Sequence, residues 1–336
     1  MVSFQQHIKD TFDNAIQHKR CHFFENEIFI KEDHGIKYQI NYVPSLAKKA
    51  VPSTIHESSD KLRSVHQDKP INPFLCPDPA LVVKEVDNYR ILLNKFCIIP
   101  HHLLIVTKEF QEQSQPLLPP DLLIAWRTME EAYAKPGVIF YNCGEDSGAS
   151  QRHKHVQLIP VSDQGVQPPI QEMLNKIDDP KHGEVYSLNE LPFVHVLLML
   201  DPRALKSKDD GVVEEYLGQM YFGLLDSMFH QIRLADPSQL QGKKPSYNFI
   251  MTDRFMMLVP RRSETGVLTS AQGNELTLSM NSMSFAGYLL AKTEEERDTL
   301  QNTPDLMAFL QQLGFDRPDP AVDQSTVATT DAPLAS

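Results

Sequence analysis

Gly148-Ala149-Ser150-Gln151-Arg152-His153-Lys154-His155-Val156-Gln157-Leu158-Ile159-Pro160 is the stretch whose reading decides the fold. From His153 onward the pattern has period two, which predicts a β-strand. Side chains of a strand point to opposite faces in turn, so His153, His155 and Gln157 share one face. Three polar groups side by side are costly to bury without partners, so the row points to a site. Just upstream, Gly144 to Gln151 is a loop of small residues whose backbone N–H groups can turn toward an anion. An anion cradle leading into a histidine strand suits attack on a phosphate. The bland alternative is a surface strand that happens to carry two histidines.

Outward from this stretch, Val138 to Asn142 reads as the strand that feeds the loop. Asp121 to Ala134 follows Pro119-Pro120 and sets Leu122, Trp126, Met129 and Tyr133 on one helical face. Tyr89 to Leu93 and Leu103 to Thr107 read as strands, with a turn at Asn94; His101 and His102 sit past it as structural or surface residues. Phe4, Ile8, Phe12, Ala15 and Ile16 give an amphipathic helix over 3–18. Glu27 to Ile30 and Lys37 to Val43 are short strands, and Val51 to Pro79 is a polar, proline-bearing excursion. Beyond a linker from Ser162 to about Leu191, Phe193 to Met199 is an apolar strand and Asp210 to Ile232 the longest helix. Tyr247 to Met251 and Phe255 to Val259 flank Thr252-Asp253-Arg254 as a hairpin. The second half repeats the inventory of the first without its histidine strand.

At 336 residues the chain exceeds the roughly 250-residue limit of one core, so two core units are expected. Hydrophobic content of 41% and charged content of 23% are those of a soluble globular protein. No apolar run approaches the ~20 residues of a membrane span, and the N-terminus lacks a signal-peptide layout. Cys21, Cys76, Cys97 and Cys143 lie far apart, against a zinc site and for a reducing, cytoplasmic compartment, with the nucleus also open to it. A net charge of −12 argues against nucleic-acid and membrane partners. An anionic substrate then needs local positive charge. The run Lys243 to Arg262 offers Lys243, Lys244, Arg254, Arg261 and Arg262 against Asp253 alone, either as such a patch or as a solvated hairpin edge.

The run Ser147 to Gln157 resembles the histidine-triad superfamily of nucleotidyl hydrolases and transferases. The hydrolases carry His-x-His-x-His, whereas Gln157 closes the run here, as in the transferase branch. Within that branch it is similar to the fungal-type diadenosine tetraphosphate phosphorylases, also called ATP adenylyltransferases. Further blocks resemble the same family. They are Tyr42 to Lys49, Asn72-Pro73-Phe74, Leu93-Asn94-Lys95-Phe96 with Pro100 to Lys108, and Asn281-Ser282-x-x-Phe285-Ala286-Gly287-x-Leu289-Leu290-x-Lys292. Taken alone, the last block reads as a capped apolar helix.

The resemblance implies an α+β fold, a histidine-triad-like antiparallel sheet with flanking helices, built as two degenerate halves. These are 1–175 with the nucleophile strand and 190–316 completing the nucleotide site, followed by a disordered tail over 317–336. It also implies phosphorolysis of diadenosine tetraphosphate by inorganic phosphate to ATP and ADP. A lysine at 49 (or 48), Asn94 and Lys95 would meet the nucleotide, as would Asn142 and the loop residues Gly148, Ala149, Ser150 and Gln151. Asn281, Ser282, Met283, Tyr288 and Lys292 would reach it from the second half. No tightly bound cofactor or metal ligand set is expected; a divalent cation such as Mg2+ would accompany the polyphosphate.

Imidazole is mostly unprotonated at neutral pH and is a competent nucleophile. His155 is expected to attack the α-phosphorus, giving an adenylyl-histidine, with His153 in an orienting role. Gln157 can donate hydrogen bonds but cannot act as an acid, which favours transfer to phosphate over transfer to water. Two rivals stand beside this reading. One is a hexose-1-phosphate uridylyltransferase, which shares His-x-His-x-Gln; the other is a non-catalytic nucleotide sensor.

Overall fold

The computed structural model describes residues 2–48, 72–135, 137–160, 168–236, 238 and 244–318. Lys49, most of the 51–79 excursion, Lys243 and nearly all of the 317–336 tail lie outside the described residues. The first strands in chain order are β1 (His22–Phe23), β2 (Glu27–Asp33), β3 (Ile36–Tyr42), β4 (Val82–Val86), β5 (Tyr89–Leu93), β6 (Phe96–Cys97) and β7 (Leu103–Thr107). β8 (Val138–Cys143), β9 (His155–Ile159), β10 (Val185–Tyr186) and β11 (Val196–Met199) follow. The last are β12 (Ser246–Met251), β13 (Phe255–Arg261), β14 (Thr265–Thr269), β15 (Glu275–Ser279) and β16 (Tyr288–Ala291).

Nine of these strands make one antiparallel sheet in the order β10-β11-β13-β12-β8-β9-β7-β5-β4. The order is mirrored about the β12–β8 pair, where Asn248 stands opposite Asn142. On one side β7, the Pro119–Ala132 helix, β8 and β9 follow in sequence; on the other β11, the Asp210–Ala235 helix, β12 and β13. Each side is thus a strand, a helix and a hairpin, the repeat that the sequence inventory suggests. Pro119 and Pro120 open the first helix, where a missing N–H costs nothing. A smaller sheet, β16-β3-β2, joins the C-terminal signature to the N-terminal strands through parallel pairing of β16 with β3.

The two helices pack on one face of the large sheet, where Trp126, Leu122, Val213, Leu217 and Tyr221 meet Tyr141, Leu158 and Phe249. The opposite face carries Phe140, Ile159, Met257 and Val259 beneath Tyr38, Phe285, Leu289 and Phe309. Two cores exist, but they are the two faces of one sheet, and each draws on both halves. This corrects the expectation of one core per half: the β12–β8 ladder joins the halves into a single sheet with shared faces. Among the described residues no helix is long and apolar enough to cross a membrane.

Local differences from the sequence reading have local causes. The histidine strand begins at His155, because residues 152–154 bond to the passing segment at Gln111 and Gln113 instead of to a strand. The 280–292 block is no continuous helix: a single turn, Ser282–Phe285, ends at Gly287 (φ 102°) and the chain runs on as β16. The basic run disperses. Lys244 pairs with Glu112 at 3.1 Å, Arg262 lies over the Phe315 ring, and Arg261 is buried.

Alternation sends Lys154 to the helix face, away from its two histidine neighbours. Its ammonium contacts the Asp121 carboxylate, and the two side chains are only 2% and 4% exposed. Asp121 also accepts from Tyr89 Oη at 2.7 Å and from Leu118 N at 2.8 Å, so the pair ties the histidine strand to the start of the helix. Lys154→Met strands a buried carboxylate, and breaking such a pair costs about 3–5 kcal/mol. Urea unfolding is expected to show that loss as a lowered midpoint at unchanged slope. A change below about 1 kcal/mol would mean that the pair does not anchor the strand.

Candidate functional site

His155 and Gln157 emerge on the sheet face opposite the two helices, between the second core and a small cluster of Phe74, Leu92, Leu104 and Val106. His155 is 2% exposed, and its Nδ1 lies 2.8 Å from the carbonyl oxygen of His153. A carbonyl can only accept, so Nδ1 carries the proton and Nε2 holds the lone pair. Among the described residues no hydrogen-bond partner sits on that Nε2. Burial pushes the imidazole down to about 4, so the ring is neutral at physiological pH. Gln113, unmarked in the sequence reading, accepts from His155 N at 2.8 Å and donates to Asn142 O at 2.7 Å. It bridges the gap where β8 and β9 splay apart.

His153 is fully committed. Thr107 Oγ1 gives its only proton to Glu109 O at 2.7 Å, so it receives His153 Nε2–H at 2.9 Å. On the other side Phe74 N–H donates to Asn72 Oδ1, which turns Asn72 Nδ2 toward His153 Nδ1 at 3.0 Å. With both nitrogens engaged the ring cannot attack, and its backbone carbonyl orients His155. The Phe74 ring packs 5.2 Å from His155, centroid to centroid. The third polar group of the row, Gln157, lies 3.1 Å by its Oε1 from His102 Nε2, and His102 Nδ1 lies 3.1 Å from Asn94 Nδ2. His102, read from sequence as structural or surface, therefore belongs to the site. Its ring is also held neutral, down to about 4, by burial.

The small-residue loop turns at Gly144 (φ 87°) and Gly148 (φ 79°). A Cβ at Gly148 would meet Met280 O at 2.5 Å, so loop and second signature touch backbone to backbone. A buried polar ladder holds them there. Asn142 Oδ1 accepts from Asn248 Nδ2 at 2.9 Å, from Ser282 N at 2.9 Å and from Ser282 Oγ at 2.6 Å. Asn248 Nδ2 also donates to Ser147 O at 2.9 Å, and Asn248 Oδ1 accepts from Arg261 Nη1. Asn142 and Ser282, expected at the substrate, are buried in this framework. Asn281 caps the one-turn helix, accepting from Met283 N at 2.9 Å, with Met283 packed at the edge of the second core.

Ala149 and Gln151 are partly exposed and Ser150 is exposed, so the loop end is open. Lys95 is exposed beside Phe96, its ammonium 5.5 Å from the ring centroid. Tyr288 lies on β16, its hydroxyl pushed up to about 12 by burial. Lys292 follows that strand with its backbone N–H on Glu296 Oε2. Tyr288 stands on the smaller sheet and Lys292 just past its end.

A neutral strand histidine whose Nε2 has no partner among the described residues, set beside a glycine-turned loop, suits nucleophilic displacement on an anion. The comparisons with known proteins agree in class. The family model described as Ap4A phosphorylase N-terminal domain matches residues 2–176, and that described as ATP adenylyltransferase C-terminal domain matches 189–316. Diadenosine 5',5'''-P1,P4-tetraphosphate phosphorylase 2 of Saccharomyces cerevisiae is 30% identical over 298 residues, which is 83% of this chain and 84% of that protein. Protein APA1 of the same yeast is 27% identical over 324 residues, 92% and 93% of the two chains. The crystal structure of yeast Ap4A phosphorylase Apa2 in complex with Ap4A has a TM-score of 0.72 and 27% identity, covering 95% of this chain and all (100%) of that one. Its complex with AMP has a TM-score of 0.73 at 27% identity, covering 93% and 96%. The chain belongs to the Ap4A phosphorylase family, a family of nucleotidyltransferases.

His155, His102 and His195 share a response to acid. His195 repeats the backbone bond of His155, Nδ1 to Phe193 O at 2.9 Å, but its Nε2 is taken by Leu188 N–H at 2.8 Å. Burial holds all three down to about 4, whereas in the unfolded chain they titrate near 6.5. Between those values the unfolded chain binds more protons, so stability falls as pH drops from about 6.5 toward 4. Each ring contributes a slope of about 1.4 kcal/mol per pH unit inside that window and none above it. Urea melts at pH 7.5, 6 and 5 are expected to show a plateau and then a steep fall. A flat profile down to pH 5 would contradict the buried neutral state.

Proposed function

We propose that this chain catalyses phosphorolysis of diadenosine tetraphosphate to ATP and ADP, and the reverse transfer, with His155 Nε2 as the nucleophile. The observation that carries this reading is the free, neutral Nε2 of His155, on a ring whose other nitrogen is fixed by the His153 carbonyl. The yeast relatives named as phosphorylases, one of them solved with Ap4A, support the choice of substrate. In the first step Nε2 forms a bond to the α-phosphorus while the bond from that phosphorus to the bridging oxygen breaks and ATP leaves. The positive charge that develops on the ring is met by the His153 carbonyl through Nδ1–H. In the second step an oxygen of inorganic phosphate attacks the same phosphorus, the N–P bond breaks and ADP is released.

The open end of the loop, 148–151, would offer backbone N–H groups to the oxygens in flight. Gln157 cannot protonate a leaving group, and a polyphosphate needs no proton to leave. Lys95 and Lys292 would supply point charges to the phosphates, offsetting a chain of net charge −12. A divalent cation would enter with the polyphosphate. The cluster Asp33, His34 and Asp305 suits it poorly, since Asp33 already accepts from Leu306 N and Met307 N at the start of the last helix.

Incubation with diadenosine tetraphosphate alone, quenched without acid, is expected to add one AMP to the peptide containing His155. With phosphate, ATP and ADP are expected in equal amounts, and His155→Ala is expected to give neither adduct nor product. An adduct on His153, or AMP formed regardless of phosphate, would overturn the assignment.

A further inference from the structure

The direction in which Gln157 points is fixed by a backbone N–H two side chains away. Phe96 N–H donates to Asn94 Oδ1 at 3.1 Å, which decides that the other end of that amide is nitrogen. Asn94 Nδ2 therefore faces His102 Nδ1 at 3.1 Å. An amide NH2 cannot accept, so His102 Nδ1 is the acceptor, and in a neutral ring the proton sits on Nε2. That Nε2–H stands 3.1 Å from Gln157 and can only be received by Oε1. The amide nitrogen of Gln157 is left on the far side, on the strand face that it shares with His155.

We propose that Asn94 and His102 are positioning residues that set the polarity of the Gln157 amide, so that it presents N–H donors to the nucleotide phosphates. With the other tautomer of His102, Gln157 would turn its oxygen outward, and a carbonyl lone pair would face an anion. Asn94 thus acts on Gln157 through His102. The turnover part of this inference rests on the proposed phosphorolysis; the tautomer part does not.

Imidazole nitrogen spectra of the full chain, labelled with 15N-histidine and without substrate, decide the tautomer. His102, identified by the signal lost in His102→Gln, is expected as the Nε2–H form and His155 as the Nδ1–H form. Asn94→Ala is expected to give His102 as a mixture of tautomers while His155 is unchanged. In phosphorolysis Asn94→Ala is expected to lower kcat about tenfold or more, the loss of one hydrogen bond to a charged group, with a smaller change in KM. The same substitution in a Gln157→Ala background is expected to cost nothing further. His102 found as the Nδ1–H form in the wild type overturns the relay, even where Asn94→Ala fails to fold. Additive losses in the double variant overturn it too, and place Asn94 on the nucleotide itself.

Discussion

A guanidinium taken out of water loses several kcal/mol of solvation unless its N–H groups are all received. Arg261, 2% exposed, gives its five to Leu313 O, Asn248 Oδ1, Met280 O, Ser263 O and Glu264 O. Among the described residues no carboxylate pairs with it, and burial lowers it only to about 9, so it stays charged. Its acceptors come from β12, from the turn after β13, from the second signature and from the end of the last helix. Those segments can receive the guanidinium together only in their native arrangement. Through Asn248 the same cation reaches Asn142 and Ser147, the strand end and loop that lead to His155. The floor of the site is therefore a chain of dipoles ordered by one buried charge, and its positive end lies on the side of the anion loop.

His155 is held differently, with one ring lone pair left without a partner among the described residues. His153 and His195 show what the fold does with an imidazole it means to keep inert: both nitrogens are bonded. At His155 only Nδ1 is bonded among the described residues. The Asn72 and Asn94 turns work alike, each using a backbone N–H to aim an amide at a histidine. One turn thus aims an amide at His153 of the row, and the other aims one at His102 on the neighbouring strand.

Much of this was legible along the chain because it is periodic or local. The alternation of β9, the apolar stripe of the Asp210–Ala235 helix and the hairpin around Asp253 are set by neighbours in sequence. His102 was not legible, since its partner Gln157 stands on an adjacent strand and only the β7–β9 register brings them together. Gln113 escaped for a like reason, its partners being backbone atoms of remote segments, and the acceptors of Arg261 are scattered over the chain from Asn248 to Leu313. Lys154 shows the limit of strand logic. Alternation says that it faces away from the histidines, but not that a carboxylate waits there. The two cores do not fall one to each half, because β8 and β12 pair edge to edge, which length cannot foresee.

Gly148 lies so close to Met280 O that the loop has no room for a side chain there. The loop that would hold the phosphates therefore takes its shape from a wall made by residues synthesised long after it. Loop and wall lie far apart in sequence and meet only through the fold. Any change that displaces the Met280 carbonyl would therefore reshape the loop without touching a residue of it.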